Sequence, residues 1–195
     1  MPVECSKMGN ITDNQIRFKI AQEQTIFLST WHYRLNGNDG AYIGNFYDYF
    51  MARSGLVDTS GNLQMYGEKP FLSMEDLLIV YTCTPVNSAS GQSPTGGYSL
   101  NKAYTVSKKS GIYTNGMTLY LIKDANGKHL ATSKKFSTSK DKKTIIEILD
   151  PAEQTSYATL TEEGAASIVW NIELFPLSFG ILDSRLYALI AAFKR

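Results

Sequence analysis

The last fifteen residues, ILDSRLYALIAAFKR, leave this chain few folds to choose from. Positions 186–193 carry no charge and a single hydroxyl, on Tyr187. Asp183 stands where a helix N-cap belongs, because its carboxylate can accept backbone N–H groups and favours the positive end of the helix dipole. Lys194 and Arg195 stand where cations favour the negative end. Ala188, Ala191 and Ala192 favour a helix and are poor strand formers. The pattern predicts a helix over 184–193. A membrane span needs about 20 apolar residues, roughly twice this length, and the upstream extension VWNIELFPLSFGIL is interrupted by Glu173, Pro176 and Gly180. A helix lying on a surface would show a polar face, and this one shows almost none. It must be buried on all sides, which in a chain otherwise made of strands means inside a closed sheet.

The rest of the chain reads as strands. Gln15, Arg17 and Lys19 alternate with Ile16, Phe18 and Ile20, the period of a half-buried strand. Residues 25–34 and 41–50 flank LNGNDG, which is turn chemistry, and read as a hairpin. Residues 77–84 (LLIVYTCT) form a continuous apolar, β-branched run, expected to be a buried strand. Further strand signals cover 98–107, 117–123, 129–134, 143–149, 156–161 and 166–173, separated by turn residues. Residues 85–97, PVNSASGQSPTGG, read as a flexible loop, and 73–76 as a short turn. GLVDTSGNLQ and YLIKDANGKHL share an apolar pair before Asp-x-x-Gly, at Asp58 and Asp124, so two similar hairpins are expected there. One domain over 1–195 follows from the length. The predicted fold is mainly β: a closed antiparallel barrel of about 10–12 strands around a central C-terminal helix at about 183–194.

The net charge of +1 hides an asymmetry. Residues 102–143 hold ten lysines, no arginine and only Asp124 and Asp141, a balance of +8, against −7 for the remainder. Lysines are mobile point charges rather than fixed bidentate forks, which suits attraction to an anionic surface over base reading, so no specific nucleic-acid partner is expected. The plainer reading is solvated strand edges guarded by lysine.

Chemistry-bearing motifs are scarce. His32 and His129 lack companions at metal-ligand spacing, so no metal or cofactor is expected. A Cys83–His32 dyad is conceivable, but Cys83 lies in an apolar strand where an inert thiol is usual. No Gly-x-Ser-x-Gly elbow or phosphate loop occurs. Glu75-Asp76 and Glu162-Glu163 read as solvated loops. The chain is expected not to be an enzyme. WHYRLNGNDGAYIGNFYDYF is rich in rings, and the even spacing of Tyr42, Phe46 and Phe50 fits a core face; a sugar-stacking platform is the alternative. The first fifteen residues hold no apolar run, so no signal peptide is expected, and Cys5 and Cys83 are expected to be free thiols in a reducing compartment.

Phe175-Pro176-Leu177, Leu182-Asp183-x-Arg185 and Ala188-Leu189-Ile190-Ala191, together with the turn of residues 120–128 followed by KKFSTSKDKKTIIEILD, resemble the tubby C-terminal domain superfamily, which includes the LURP-one-related proteins and the phospholipid scramblases. The resemblance implies a barrel wrapped round a hydrophobic helix and a non-enzymatic module binding anionic membrane lipid or phosphoinositide. Scramblases place several Asp residues before the helix; here only Glu173 and Asp183 stand there, so calcium dependence is not implied. The candidate ligand-binding residues are Lys108, Lys109, Lys123, Lys134, Lys135, Lys142 and Lys143. A cytoplasmic, peripheral membrane location without a transmembrane span is expected. A carbohydrate-binding lectin or a scaffold for a protein partner is the alternative.

Overall fold

The computed structural model describes residues 17–26, 30–37, 40–49, 53–70, 76–86, 96–111, 113, 116–138, 143–163 and 169–194. They form twelve strands and one helix. The strands are β1 (Arg17–Ile26), β2 (Thr30–Gly37), β3 (Tyr42–Tyr49), β4 (Arg53–Val57), β5 (Leu63–Glu68), β6 (Leu77–Pro85), β7 (Tyr98–Lys108), β8 (Thr118–Asp124), β9 (His129–Ser137), β10 (Thr144–Leu149), β11 (Ser156–Glu163) and β12 (Val169–Leu174). A 3-10 turn at Pro176–Ser178 precedes α1 (Ser184–Phe193). The expected class holds: an antiparallel, mainly β chain ending in one helix.

Every strand pairs antiparallel with its sequence neighbours, and β1 is bonded to β12 on one side and to β2 on the other. The connections therefore alternate between two ends. Gly37 and Tyr42, Val57 and Leu63, Pro85 and Tyr98, Asp124 and His129, and Leu149 and Ser156, with the segment 175–183 that leads into α1, mark one end. Glu68 and Leu77, Lys108 and Thr118, Ser137 and Thr144, and Phe193 mark the other.

The helix forms as its sequence requires. Asp183 caps it, its carboxylate accepting the Arg185 N–H at 3.0 Å, and Lys194 ends it in the left-handed conformation at φ 52°. Residues 185–191 are all buried. Seven consecutive residues cover nearly two full turns at 3.6 residues each, so no side of the helix meets water. Leu186, Leu189 and Ile190 pack with Leu35, Phe46, Leu56, Met65, Val80, Ile122, Ile146, Leu160 and Ile172 from strands all round the sheet. Burial of each such side chain contributes about 1.5–3 kcal/mol. Gly67 lets the helix approach β5: a methyl there would meet the Phe193 ring at 3.0 Å and Leu78 at 3.3 Å.

Several local expectations are corrected. The second predicted strand, 25–34, belongs to two elements, since β1 runs to Ile26 and β2 starts at Thr30. In β6 only alternate residues, Leu78 and Val80, are fully buried. The other face of β6 carries Tyr81 and Cys83 into a smaller apolar cluster with Val57, Leu63, Tyr66, Tyr47, Tyr98 and Leu100, which explains a run apolar on both faces. Phe46 is core at 1% exposure, but Tyr42 is 36% exposed. Leu35 pairs with Gly44 and Asn36 with Tyr42, so Ile43 is an extra residue that reverses the alternation between Tyr42 and Phe46. Glu162 and Glu163 lie in β11 rather than a loop. Pro85 closes β6, and 87–95 lie outside the described residues, as do 73–75 and Phe50.

The two Asp-x-x-Gly turns are the same structure. The Asp58 carbonyl accepts the Gly61 N–H at 3.0 Å and the Asp124 carbonyl that of Gly127 at 3.0 Å. Each carboxylate takes two further amides, from Ser60 and Asn62, and from Asn126 and Lys128, at 2.9 Å. A related turn, one residue longer, follows β10, the Asp150 N–H donating to the Thr155 carbonyl at 2.8 Å. Asp150 accepts from Glu153 through its carbonyl at 2.9 Å and from the Gln154 amide through its carboxylate at 2.7 Å. The Gln154 amide bond leads the interactions that hold the Asp150 carboxyl below its ordinary range. Glu153 takes the glycine position at φ 60°, hiding the repeat from sequence.

Candidate functional site

Lysine reaches the surface of β7–β10 in three settings, set by strand alternation. On β9, Ala131 and Ser133 face inward, opposite Ile122 and Tyr120 of β8. Lys135 shares their side of the strand and lies 6.0 Å from the centre of the Tyr120 ring. Lys134 takes the other side, where it pairs with Glu147 at 3.4 Å and lies 5.5 Å from the Phe136 ring. The adjacent lysines therefore do not share a face. Lys108, exposed at the end of β7, stands opposite Tyr120 in the register. The Tyr120 hydroxyl donates to Asp76 Oδ2 at 3.1 Å, so Lys108, Lys135 and Asp76 surround one ring at the helix's C-terminal end.

The remaining predicted residues disperse. Lys109 is held by Glu153 at 2.8 Å, and that hydrogen bond leads the interactions raising its pKa. Lys123 belongs to the opposite end of the sheet, facing Thr105 and His129. Lys143 precedes β10, its carbonyl accepting from the Thr138 amide at 3.0 Å. Lys142 lies outside the described residues. Among the described residues, Lys102, Lys108, Lys123, Lys128 and Lys143 make no ion pair.

Two cations join the Lys108–Lys135 end from distant parts of the chain. Lys69 lies 5.9 Å from the Phe193 ring, and Lys194 pairs with Glu162 at 2.8 Å. Burial raises the Glu162 pKa, but the Lys194 and Thr144 hydrogen bonds outweigh it and leave the carboxyl below its ordinary range. No local signal links these residues to the lysine-rich segment; the sheet order alone brings them together.

At the other end a buried polar network anchors the helix. The Arg185 Nε donates to Asp183 Oδ1 at 2.9 Å and its Nη2 to Oδ2 at 2.5 Å, with Arg185 only 8% exposed. The Asp183 N–H donates to the Tyr104 hydroxyl at 3.1 Å. The Tyr187 hydroxyl is buried just below, with Ser178 as its polar neighbour. Burial leads the effects on its pKa, which is strongly raised.

The catalytic candidates separate. His32 is on β2 and Cys83 on β6, four strand positions apart, or roughly 19 Å along the sheet. Burial pushes the Cys83 thiol up to about 12, against a weaker opposing pull from Arg185, so it is not a thiolate at neutral pH. His129 Nε2 is engaged by the Ala131 carbonyl at 2.9 Å and Thr132 Oγ1 at 3.2 Å. No group of three or more His, Cys, Asp or Glu among the described residues could hold a metal ion. No helix among them is long and apolar enough to cross a membrane.

On the outer face, Tyr47, Gly55, Tyr66 and Tyr81 form one transverse row across β3–β6. The Tyr66 and Tyr81 ring centres are 6.3 Å apart, and the Tyr81 hydroxyl donates to Glu68 at 3.1 Å. Tyr66 is buried at 3% exposure, while Tyr47 and Tyr81 are half-buried. Comparison with known proteins gives no match to any family model, curated protein or solved structure.

Proposed function

We propose that this chain is a non-enzymatic binding module, a closed β-barrel of tubby-like type plugged by α1, that associates with anionic membrane lipid or phosphoinositide through the lysine-bearing strands β7–β10. The observation that carries this reading is the set of lysines with no ion pair among the described residues, Lys102, Lys108, Lys123, Lys128 and Lys143. A charge that is not satisfied within the fold remains available to an anionic partner. Each lysine near such a surface contributes about 1 kcal/mol, so several together produce binding that weakens as salt rises. The resemblance of residues 175–191 to the superfamily supports the same reading, and the stalled thiol of Cys83 supports the non-enzymatic part.

The test is co-sedimentation with vesicles containing phosphatidylserine or phosphoinositide. Replacing Lys102, Lys108, Lys123, Lys128 and Lys143 by Glu is expected to weaken binding at least tenfold at low salt, several lysines at about 1 kcal/mol each being reversed. Absence of wild-type binding, or binding unchanged in the variant, discards the proposal. The tyrosine row across β3–β6 favours a second reading, sugar stacking on the outer face. A glycan array without hits removes it.

A further inference from the structure

The two ends of the sheet differ in what they expose. Among the described residues, the exposed large hydrophobic side chains are Tyr42 at 36%, Val86 at 42%, Leu177 at 67% and Ile181 at 40%. Because the strands run up and down in sequence, Tyr42 at the start of β3, Val86 just after β6 and the segment 175–183 fall at one end, where α1 begins. The segment 175–183 crosses that end. It starts where the Phe175 N–H donates to the Tyr157 carbonyl of β11 at 2.9 Å, and finishes where Asp183 N–H donates to Tyr104 of β7. Phe179 and Leu182 pack against the core, while Leu177 and Ile181 face water. From Leu174 to Leu182 there is no charged residue.

Several acids at this end among the described residues are already engaged: Asp58, Asp124 and Asp150 accept the amides of their own turns, and Asp183 holds Arg185. The cations project. Lys123 and Lys128 flank the β8–β9 turn, Lys102 lies in the nearer half of β7, and none has an ion-pair partner among the described residues. Arg34 lies 4.8 Å from the Tyr42 ring, a stacked pair with an apolar body and a charged tip. Tyr42 opens β3, Val86 follows β6, and Leu177 and Ile181 lie in the crossing segment, so a partner that engages all of them must be an extended surface rather than a small ligand. Apolar tips at the acyl boundary with lysines at the headgroup level suit an anionic membrane surface.

We infer that the end bearing Leu177 and Ile181 is the end that enters an anionic lipid bilayer. This rests on the membrane reading above and refines it: Lys102, Lys123 and Lys128 make the close contact, while Lys108, Lys135 and Lys143 stay outside it.

The experiment uses full-length protein with Cys5 and Cys83 replaced by Ser and an environment-sensitive fluorophore on either Leu177→Cys or Ser137→Cys, the latter at the opposite end. Vesicles of phosphatidylcholine with and without phosphatidylserine are titrated, and binding is followed in parallel by sedimentation. The label at 177 is expected to brighten severalfold and shift to the blue on anionic vesicles, and the label at 137 to stay unchanged. Leu177→Asp with Ile181→Asp should bind at least tenfold more weakly, two apolar anchors being lost, with an unchanged melting temperature because both side chains are exposed. Charge reversal at Lys102, Lys123 and Lys128 should cost more affinity than reversal at Lys108, Lys135 and Lys143. If the vesicles bind the protein but the 177 label stays silent and the Asp variant binds as well as wild type, the inference falls and the lysine reading stands. If wild type binds no vesicle, both fall.

Discussion

Helix α1 and the lysine-bearing strands β7–β10 are the two most biased stretches of the sequence, and they obey different rules. In α1 every residue from Arg185 to Ala191 is buried, and each neighbour comes from the chain itself. In β9 burial falls away along the strand, from Ala131, Thr132 and Ser133 to the half-buried Lys134 and Lys135, which leave on opposite sides. The helix is specified by the interior of the protein. Of the lysines, Lys109 and Lys134 are paired within the fold, whereas Lys102, Lys108, Lys123, Lys128 and Lys143 make no ion pair among the described residues. The comparison teaches that burial is concentrated in the first region, while the proposed binding draws on the second, so substitutions should separate the two.

The largest separation is expected on removing the helix. A chain ending after Gly180 loses Leu182, Leu186, Leu189 and Ile190, each worth about 1.5–3 kcal/mol of burial, which exceeds a marginal total stability of about 5–15 kcal/mol once the exposed inner wall is counted. The expected product is insoluble or unfolded, read by circular dichroism and gel filtration. A compact truncated protein would break the comparison. Next comes Leu186→Ala, expected to cost about 2–5 kcal/mol in urea unfolding because it opens a cavity in a packed core. Lys108→Ala is the matched control, expected within about 0.5 kcal/mol of wild type. A smaller effect is expected at Tyr187, whose buried hydroxyl has Ser178 as its polar neighbour. Tyr187→Phe keeps the ring and removes the hydroxyl, and should change the urea-unfolding free energy by less than about 1.5 kcal/mol.

How far sequence carried the description follows the same division. The helix could be bounded from Asp183, the alanines and Lys194 because each acts within one turn of its neighbours. The turns at Asp58 and Asp124 were readable because Asp and Gly have one dominant reason to stand three residues apart. The third turn was not, since Glu153 adopts the left-handed conformation that glycine usually supplies. Tyr42 was misplaced because the extra residue Ile43 is a property of the pairing with β2, not of either strand alone. The candidate site was legible only as a segment. Its division into Lys134 outward, Lys135 inward and Lys123 at the far end needs the register, and the arrival of Lys69 and Lys194 needs the whole sheet order.

The smallest expected effect lies where the two regions meet, at the Lys194–Glu162 pair, 2.8 Å long. The Glu162 pKa is lower in the folded state, so its contribution is fully present above the unfolded carboxyl value and is lost as pH falls through the folded value. Lys194→Met should therefore lower the urea midpoint slightly at pH 7, by less than about 1 kcal/mol for a partly exposed pair, and the gap to wild type should close in acid. A gap that persists below pH 3 would place the contribution of Lys194 in packing instead.

The account rests on α1 being the interior of the molecule. Native-state hydrogen exchange of its backbone amides tests this most directly. If the strands enclose the helix, the amides of Leu189, Ile190 and Ala191 exchange only through global unfolding, with the same free energy and the same denaturant dependence as those of Ile146 and Leu160. Exchange of the helix amides at a markedly lower free energy than the strands, without global unfolding, would contradict it.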